Sequence, residues 1–176
     1  IYMDSGTSYA APLVTGVLAQ MCQYAPSLRY SRERAKAMLL LAAEQDKIFT
    51  VNNNAVGNTL RDKSGAGLVN AKKAIAALEY GFSRGDSIHG GSYPISSCYF
   101  RKGQKIRAVM VFGKSNTNAI AAKTRMENID LLLVKDKTGK TVASSTSARN
   151  NVEIIEYTFT ESGEYHFLFQ PIRVMS

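Results

Sequence analysis

Ser8 lies in the run Gly6-Thr7-Ser8-Tyr9-Ala10-Ala11-Pro12, which passes directly into the apolar stretch Leu13-Val14-Thr15-Gly16-Val17-Leu18-Ala19. A serine hydroxyl is a weak nucleophile at neutral pH. To attack a carbonyl it must be exposed beside a general base, and the oxyanion it creates must meet preorganised donors. At the start of a helix Ser8 would offer its own backbone N–H and the positive end of the helix dipole to that charge. Thr7 adds a second hydroxyl, and small residues around Ser8 let a substrate backbone come close. Pro12 is expected in the first helical turn, where a missing N–H is tolerated. A bare Thr-Ser pair ahead of an apolar helix is commonly an ordinary N-cap. Seven residues with one free position carry more information than that.

The run closely resembles the serine-bearing segment of the subtilisin-like serine proteases (subtilases), where Gly-Thr-Ser-x-Ala-Ala-Pro opens a buried helix. About sixty residues further on, Gly65-Ala66-Gly67-Leu68-Val69-Asn70-Ala71 resembles the Gly-x-Gly-x-Val-Asn/Asp-Ala element that closes subtilase catalytic domains. The resemblance implies that Ser8 is the nucleophile and a backbone oxyanion donor, with Thr7 in the oxyanion region. It places Ser5, Gly6 and Tyr9 at the substrate pocket and makes the substrate a polypeptide. Tyr9 departs from the family, which often has Met there; a tyrosine removes a thioether that oxidants convert to sulfoxide and reshapes the neighbouring pocket.

A subtilase triad runs Asp, His, Ser along the chain, so a catalytic Asp, a catalytic His and an oxyanion Asn should precede Ser8. Seven residues precede it. The two histidines, His89 and His166, are downstream in segments unlike the family's His motif. His89 sits in a Gly-rich link, and alternation in Tyr165-His166-Phe167-Leu168-Phe169 puts His166 on the solvent side of a strand. The chain is therefore expected to be the C-terminal part of a longer bacterial serine endopeptidase, secreted or at the cell surface, and inactive alone. Its partner would be the missing N-terminal part of the catalytic domain; self-association through the exposed helices is the other way of covering them.

Helical spacing predicts a first helix from about Ser8 to about Tyr24, apolar nearly all round, which marks a helix made for burial. A second is expected to start at Ser31 as N-cap, with Ala35, Met38, Leu39 and Ala42 on one face. After an Asn-rich stretch, Gly65 and Gly67 permit a tight approach and Asn70 caps a short helix to about Tyr80. The subtilase resemblance implies that residues 1–82, mostly helical as present, are an α/β catalytic-domain remnant; the Gly, Ser and Pro content of residues 83–97 reads as a linker. From residue 98 to 176 the period changes to two: Ile106, Ala108, Met110 and Phe112 alternate, as do Ile155, Tyr157 and Phe159, and Tyr165, Phe167 and Phe169. Turn signals at Lys137-Thr138-Gly139-Lys140 and Glu161-Ser162-Gly163-Glu164 separate such strands, giving an all-β antiparallel sandwich. Together with Asn128–Val134 and Asn151–Ile155, these pieces resemble the jelly-roll-like β-sandwich domain appended to many bacterial secreted proteases.

The net charge of +8 is diffuse, with 9 Lys+Arg against 6 Asp+Glu in residues 1–82 and 13 against 8 in residues 83–176. Such a balance reads as a solvated surface and argues against nucleic acid. Arg101, Lys102, Lys105 and Arg107 come closest to a basic patch, which alternating strand faces would split. No apolar run approaches the ~20 residues of a membrane span. Cys22 reads as a small buried hydrophobe and Cys98 as a free thiol; two cysteines define no disulfide framework. No cofactor is required and no metal motif is present. Asp130, Asp136, Glu153 and Glu156 read as solvated strand-edge carboxylates; calcium stays open without a motif for it. The competing reading makes the sandwich a non-catalytic binding or structural module beside a vestigial serine segment.

Overall fold

The computed structural model describes residues 6–44, 65–81, 83, 91–113, 128–147 and 151–172, and its contacts divide the chain into two units, Ile1–Gly85 and Asp86–Ser176. The first unit is helical and the second is built from antiparallel strands, in agreement with the fold class read from the sequence. Helix α1 spans Thr7–Tyr24 and ends before Pro26, which opens a 3₁₀ turn over Pro26–Tyr30. Helix α2, Arg32–Leu41, is capped by Ser31, whose hydroxyl accepts the Arg34 N–H at 3.3 Å. Helix α3 spans Ala71–Tyr80. The four segments enclose Met21, Leu28, Met38, Ala42 and Ala74, with Val17, Leu18, Cys22, Ala35 and Leu39 packed around them.

Helix α3 is placed by a polar junction. Glu44 and Leu68 exchange backbone hydrogen bonds of 2.9 Å each way, and Gly65 and Gly67, at φ 59° and 122°, let the intervening chain turn there. Asn70 then caps α3 by accepting the Lys73 N–H at 2.9 Å while its amide donates to the Glu44 carboxylate at 2.7 Å. Lys73 closes the ring with an ion pair to Glu44. One side chain serves the helix terminus and the bridge together. Asn70→Ala is expected to destabilise the helical unit by about 1–2 kcal/mol, the usual range for a lost cap; urea unfolding followed by helical circular dichroism measures it. A loss below about 0.3 kcal/mol, the scale of an uncritical surface change, would contradict this account.

The second unit pairs two sheets. Strands β1 (Tyr93–Pro94), β2 (Cys98–Phe100), β4 (Asn128–Lys135), β5 (Lys140–Ser145) and β7 (Gly163–Ile172) form one, ordered β1-β7-β4-β5 with β2 also on β7. Strands β3 (Lys105–Val111) and β6 (Val152–Thr158) form the other. Met110, Ile155 and Phe159 from the β3–β6 side meet Ile129, Leu131, Leu133 and Tyr165 in one core. The alternating residues therefore point where the two-residue period placed them. Residues 93–95, expected within the link, hydrogen-bond to β7 through Tyr93↔Phe169, Pro94↔Leu168 and the Ile95 N–H. A two-residue strand is too short to show a period, and Pro94 masks it further.

Candidate active site

Gly6, at φ 163° and ψ 158°, is the N-cap of α1, so Thr7, Ser8 and Tyr9 are its first three helical residues. No side chain caps the helix. Gly6 O instead accepts the N–H groups of Tyr9 at 3.1 Å and Ala10 at 3.4 Å. Thr7 and Ser8 are exposed, and neither side chain has a hydrogen-bond partner among the described residues. The Ser8 hydroxyl is thus not a capping group, and its N–H belongs to the donors that a helix start leaves open. Pro12 is the sixth residue of α1, in the second turn rather than the expected first. Its missing N–H would have bonded the Ser8 carbonyl four residues back, so the first turn is tied less tightly to the helix behind it.

Among the described residues, it is the C-terminal half of α1 that packs into the core. Thr7 to Leu13 are all exposed, with Tyr9 at 58% and Leu13 at 67%, whereas Val17, Leu18, Met21 and Cys22 belong to the core. The helix carries no charged residue along its 18 positions. Ser5, assigned with Gly6 and Tyr9 to the pocket, lies outside the described residues, as does His89. His166 is in the other unit.

The β unit holds polar groups that sequence reasoning misplaced. His166 is part-buried rather than solvent-facing, with Nδ1 at 2.6 Å from Asp136 Oδ1. The Asp136 carboxylate also accepts a hydrogen bond from the Ser97 side chain, and these two contacts, Ser97 foremost, hold its pKa below the usual carboxylate value. The cluster joins the segment before β2, the β4–β5 turn and β7. A carboxylate depressed in this way contributes stability above its unfolded pKa, near ~3.9, and loses it as pH falls through the folded value. Asp136→Asn is therefore expected to lower the thermal midpoint at neutral pH, the deficit shrinking steadily below about pH 4. A deficit independent of pH would locate the effect in geometry instead of charge.

Glu153 is 0% exposed, which corrects its reading as a solvated edge group. It accepts the Ser145 hydroxyl and, at 2.9 Å, the Ser147 N–H, while Ser145 Oγ accepts the Ile154 N–H at 3.2 Å. The signal was present: Glu153 shares the parity of Ile155, Tyr157 and Phe159, the residues that alternation turns inward. Asp130 is half-buried as well, and burial raises its pKa. Glu156 alone of the four carboxylates is exposed, paired with Arg107 at 2.9 Å across the β3–β6 register. Among the described residues no three His, Cys, Asp or Glu side chains gather where they could hold a metal ion. Cys22 and Cys98 are free thiols, half-buried and exposed respectively. No described helix is long and apolar enough to cross a membrane.

No curated protein matches the chain. Residues 2–82, which carry the Ser8 turn, the three helices and the Gly65–Ala71 element, match the model of the subtilase family.

Proposed function

We propose that residues 1–82 supply the nucleophile and part of the oxyanion site of a subtilisin-like serine endopeptidase. The observation that carries this reading is an exposed, uncommitted Ser8 hydroxyl in the first turn of α1, inside the segment that matches the subtilase family. Gly6 provides the cap without a side chain, so a substrate backbone meets no obstruction there.

In the assembled site Ser8 Oγ attacks the scissile carbonyl as a histidine from another part of the polypeptide takes its proton. The Ser8 N–H and an asparagine amide receive the oxyanion, the protonated histidine releases the leaving amine, and water then hydrolyses the acyl-enzyme. Thr7 borders the oxyanion, and Ser5, Gly6 and Tyr9 line the pocket. The bare N-terminal half of α1 is covered by the same polypeptide that brings the acid and base. The parent is a secreted bacterial enzyme acting on polypeptides, and residues 98–176 are its accessory β-sandwich. The 176-residue chain alone turns over no peptide in a fluorogenic assay. Turnover by it, lost in Ser8→Ala, would show that the general base lies within these residues and would overturn the proposed division of the site.

A further inference from the structure

The topology of the C-terminal unit gathers charge that is scattered in the sequence. Phe100 pairs with Gly163, Lys135 with Tyr165 and with Lys140, and Lys105 with Thr158. The turns after β2, β4 and β6 therefore lie at one end of the unit. They and the adjoining strand residues carry Arg101, Lys102, Lys105, Lys137 and Lys140, all exposed and none in a direct salt bridge among the described residues, with Lys140 acting on Glu161 at longer range. The carboxylates there are mostly engaged: Asp136 with Ser97 and His166, and Glu161 with Lys135. Glu164 is the remaining one, and it is exposed.

The backbone beneath these cations is held in place. Gln104 Oε1 accepts the Arg101 N–H at 3.2 Å, Ser162 Oγ the Lys102 N–H at 2.9 Å, and Thr138 Oγ1 the Lys140 N–H at 3.3 Å. Gly103 and Gly139, at φ 83° and 65°, close two of the turns. With β2, β7, β4 and β5 adjacent in that order, a strand spacing of ~4.8 Å sets the outer strands that lead to these cations roughly 14 Å apart. With the backbone held, a ligand that settles here has only the side chains to order.

We infer that this end of the β unit binds an extended polyanion, specifically an acidic polysaccharide bearing sulfate or carboxylate groups. Separate point charges over that span match a ligand whose charges repeat along a chain. Membrane docking would call for apolar side chains to enter the acyl boundary, and residues 101–104, 136–139 and 160–162 include none. Single-stranded nucleic acid is held by stacking platforms, whereas Tyr99 is the one large exposed aromatic on the strands leading into these turns. Thr138, Thr160 and Ser162 instead offer hydroxyls to a hydroxyl-rich chain.

Calorimetric titration of the full chain with heparin, with uncharged dextran as control, tests this independently of Ser8. The triple variant Lys102→Ala, Lys137→Ala, Lys140→Ala is expected to bind heparin about tenfold more weakly and with a shallower salt dependence. A variant with the same charge loss on exposed residues of the helical unit, Arg29→Ala, Arg32→Ala, Lys72→Ala, should lose less than about twofold. Should the first triple variant fail to fold, Lys137→Ala alone is expected to weaken binding by about twofold. The inference is overturned by equal loss in both triple variants, by no saturable heparin binding, or by tighter binding of single-stranded DNA or phosphatidylserine vesicles than of heparin.

Discussion

Ser8→Ala is expected to reduce peptide hydrolysis by the intact protease at least about a thousandfold while leaving the thermal midpoint of the chain unchanged. The two halves of this expectation have different physical sources. With Ser8 as the proposed nucleophile, the loss of rate follows from removing its attacking oxygen, for which no other described group in the first turn of α1 can substitute at that position; Thr7 occupies a different point of the helix. The unchanged midpoint follows from exposure: the Ser8 hydroxyl has no hydrogen-bond partner among the described residues and does not cap the helix, since Gly6 does. Alanine also has the highest helix propensity, so the first turn is not weakened. Ser8→Cys in a Cys98→Ala background separates nucleophile from scaffold further, because a thiol at position 8, located by mapping the modified residue, is alkylated even where hydrolysis is lost. A Ser8→Ala variant retaining more than about a tenth of the activity would remove Ser8 from the chemistry. One that unfolds would show that the residue is structural.

The readable parts of this chain are those in which one element determines its own pattern. The serine run, the apolar α1, the Ser31 and Asn70 caps and the inward rows Ile155-Tyr157-Phe159 and Tyr165-Phe167-Phe169 depend on short-range spacing, and the structure places them accordingly. Pairings between distant segments were hidden. Asp136 meets His166 and Ser97 only because the β4–β5 turn lies beside β7, and neither strand carries a sign of it. Glu153 was legible in parity but overridden by its charge: a carboxylate was expected outside, and Ser145 and Ser147 supply the donors that make burial tolerable. The basic end is invisible in a count of lysines, since its members come from separate turns that only the antiparallel register brings level. At the serine site, composition marked α1 as a helix for burial, and its bare N-terminal half follows from contacts that no sequence pattern within the helix records.

Phe159→Ala is expected to cost the β unit about 3–5 kcal/mol, the range for deleting a fully buried aromatic. Phe159 follows β6 and is 1% exposed. Its ring stacks on Phe100 with centroids 4.3 Å apart and meets Tyr165 and Tyr157 edge-on at 4.7 and 5.1 Å. It therefore joins β2, β6 and β7, the strands whose turns lie at the basic end. The backbone at this position is equally committed: the Phe159 N–H donates to Gln104 O at 2.9 Å and its carbonyl accepts the Gly103 N–H at 2.7 Å. Collapse into the vacated space is opposed on one side by Tyr165, whose hydroxyl donates to Glu161 O at 3.1 Å and so fixes its own ring. For a domain whose whole stability is of the order of 5–15 kcal/mol, this loss removes a large share. Phe159→Leu keeps much of the volume and should cost less, about 1–2 kcal/mol. The chain has no tryptophan, so unfolding is followed by tyrosine fluorescence, to which Tyr157 and Tyr165 beside the lost ring contribute, together with the loss of β-sheet circular dichroism. Equal losses for alanine and leucine would assign the effect to the backbone bonds with Gln104 and Gly103, and a loss below about 1 kcal/mol for alanine would mean that Phe159 is not the joint between the two sheets.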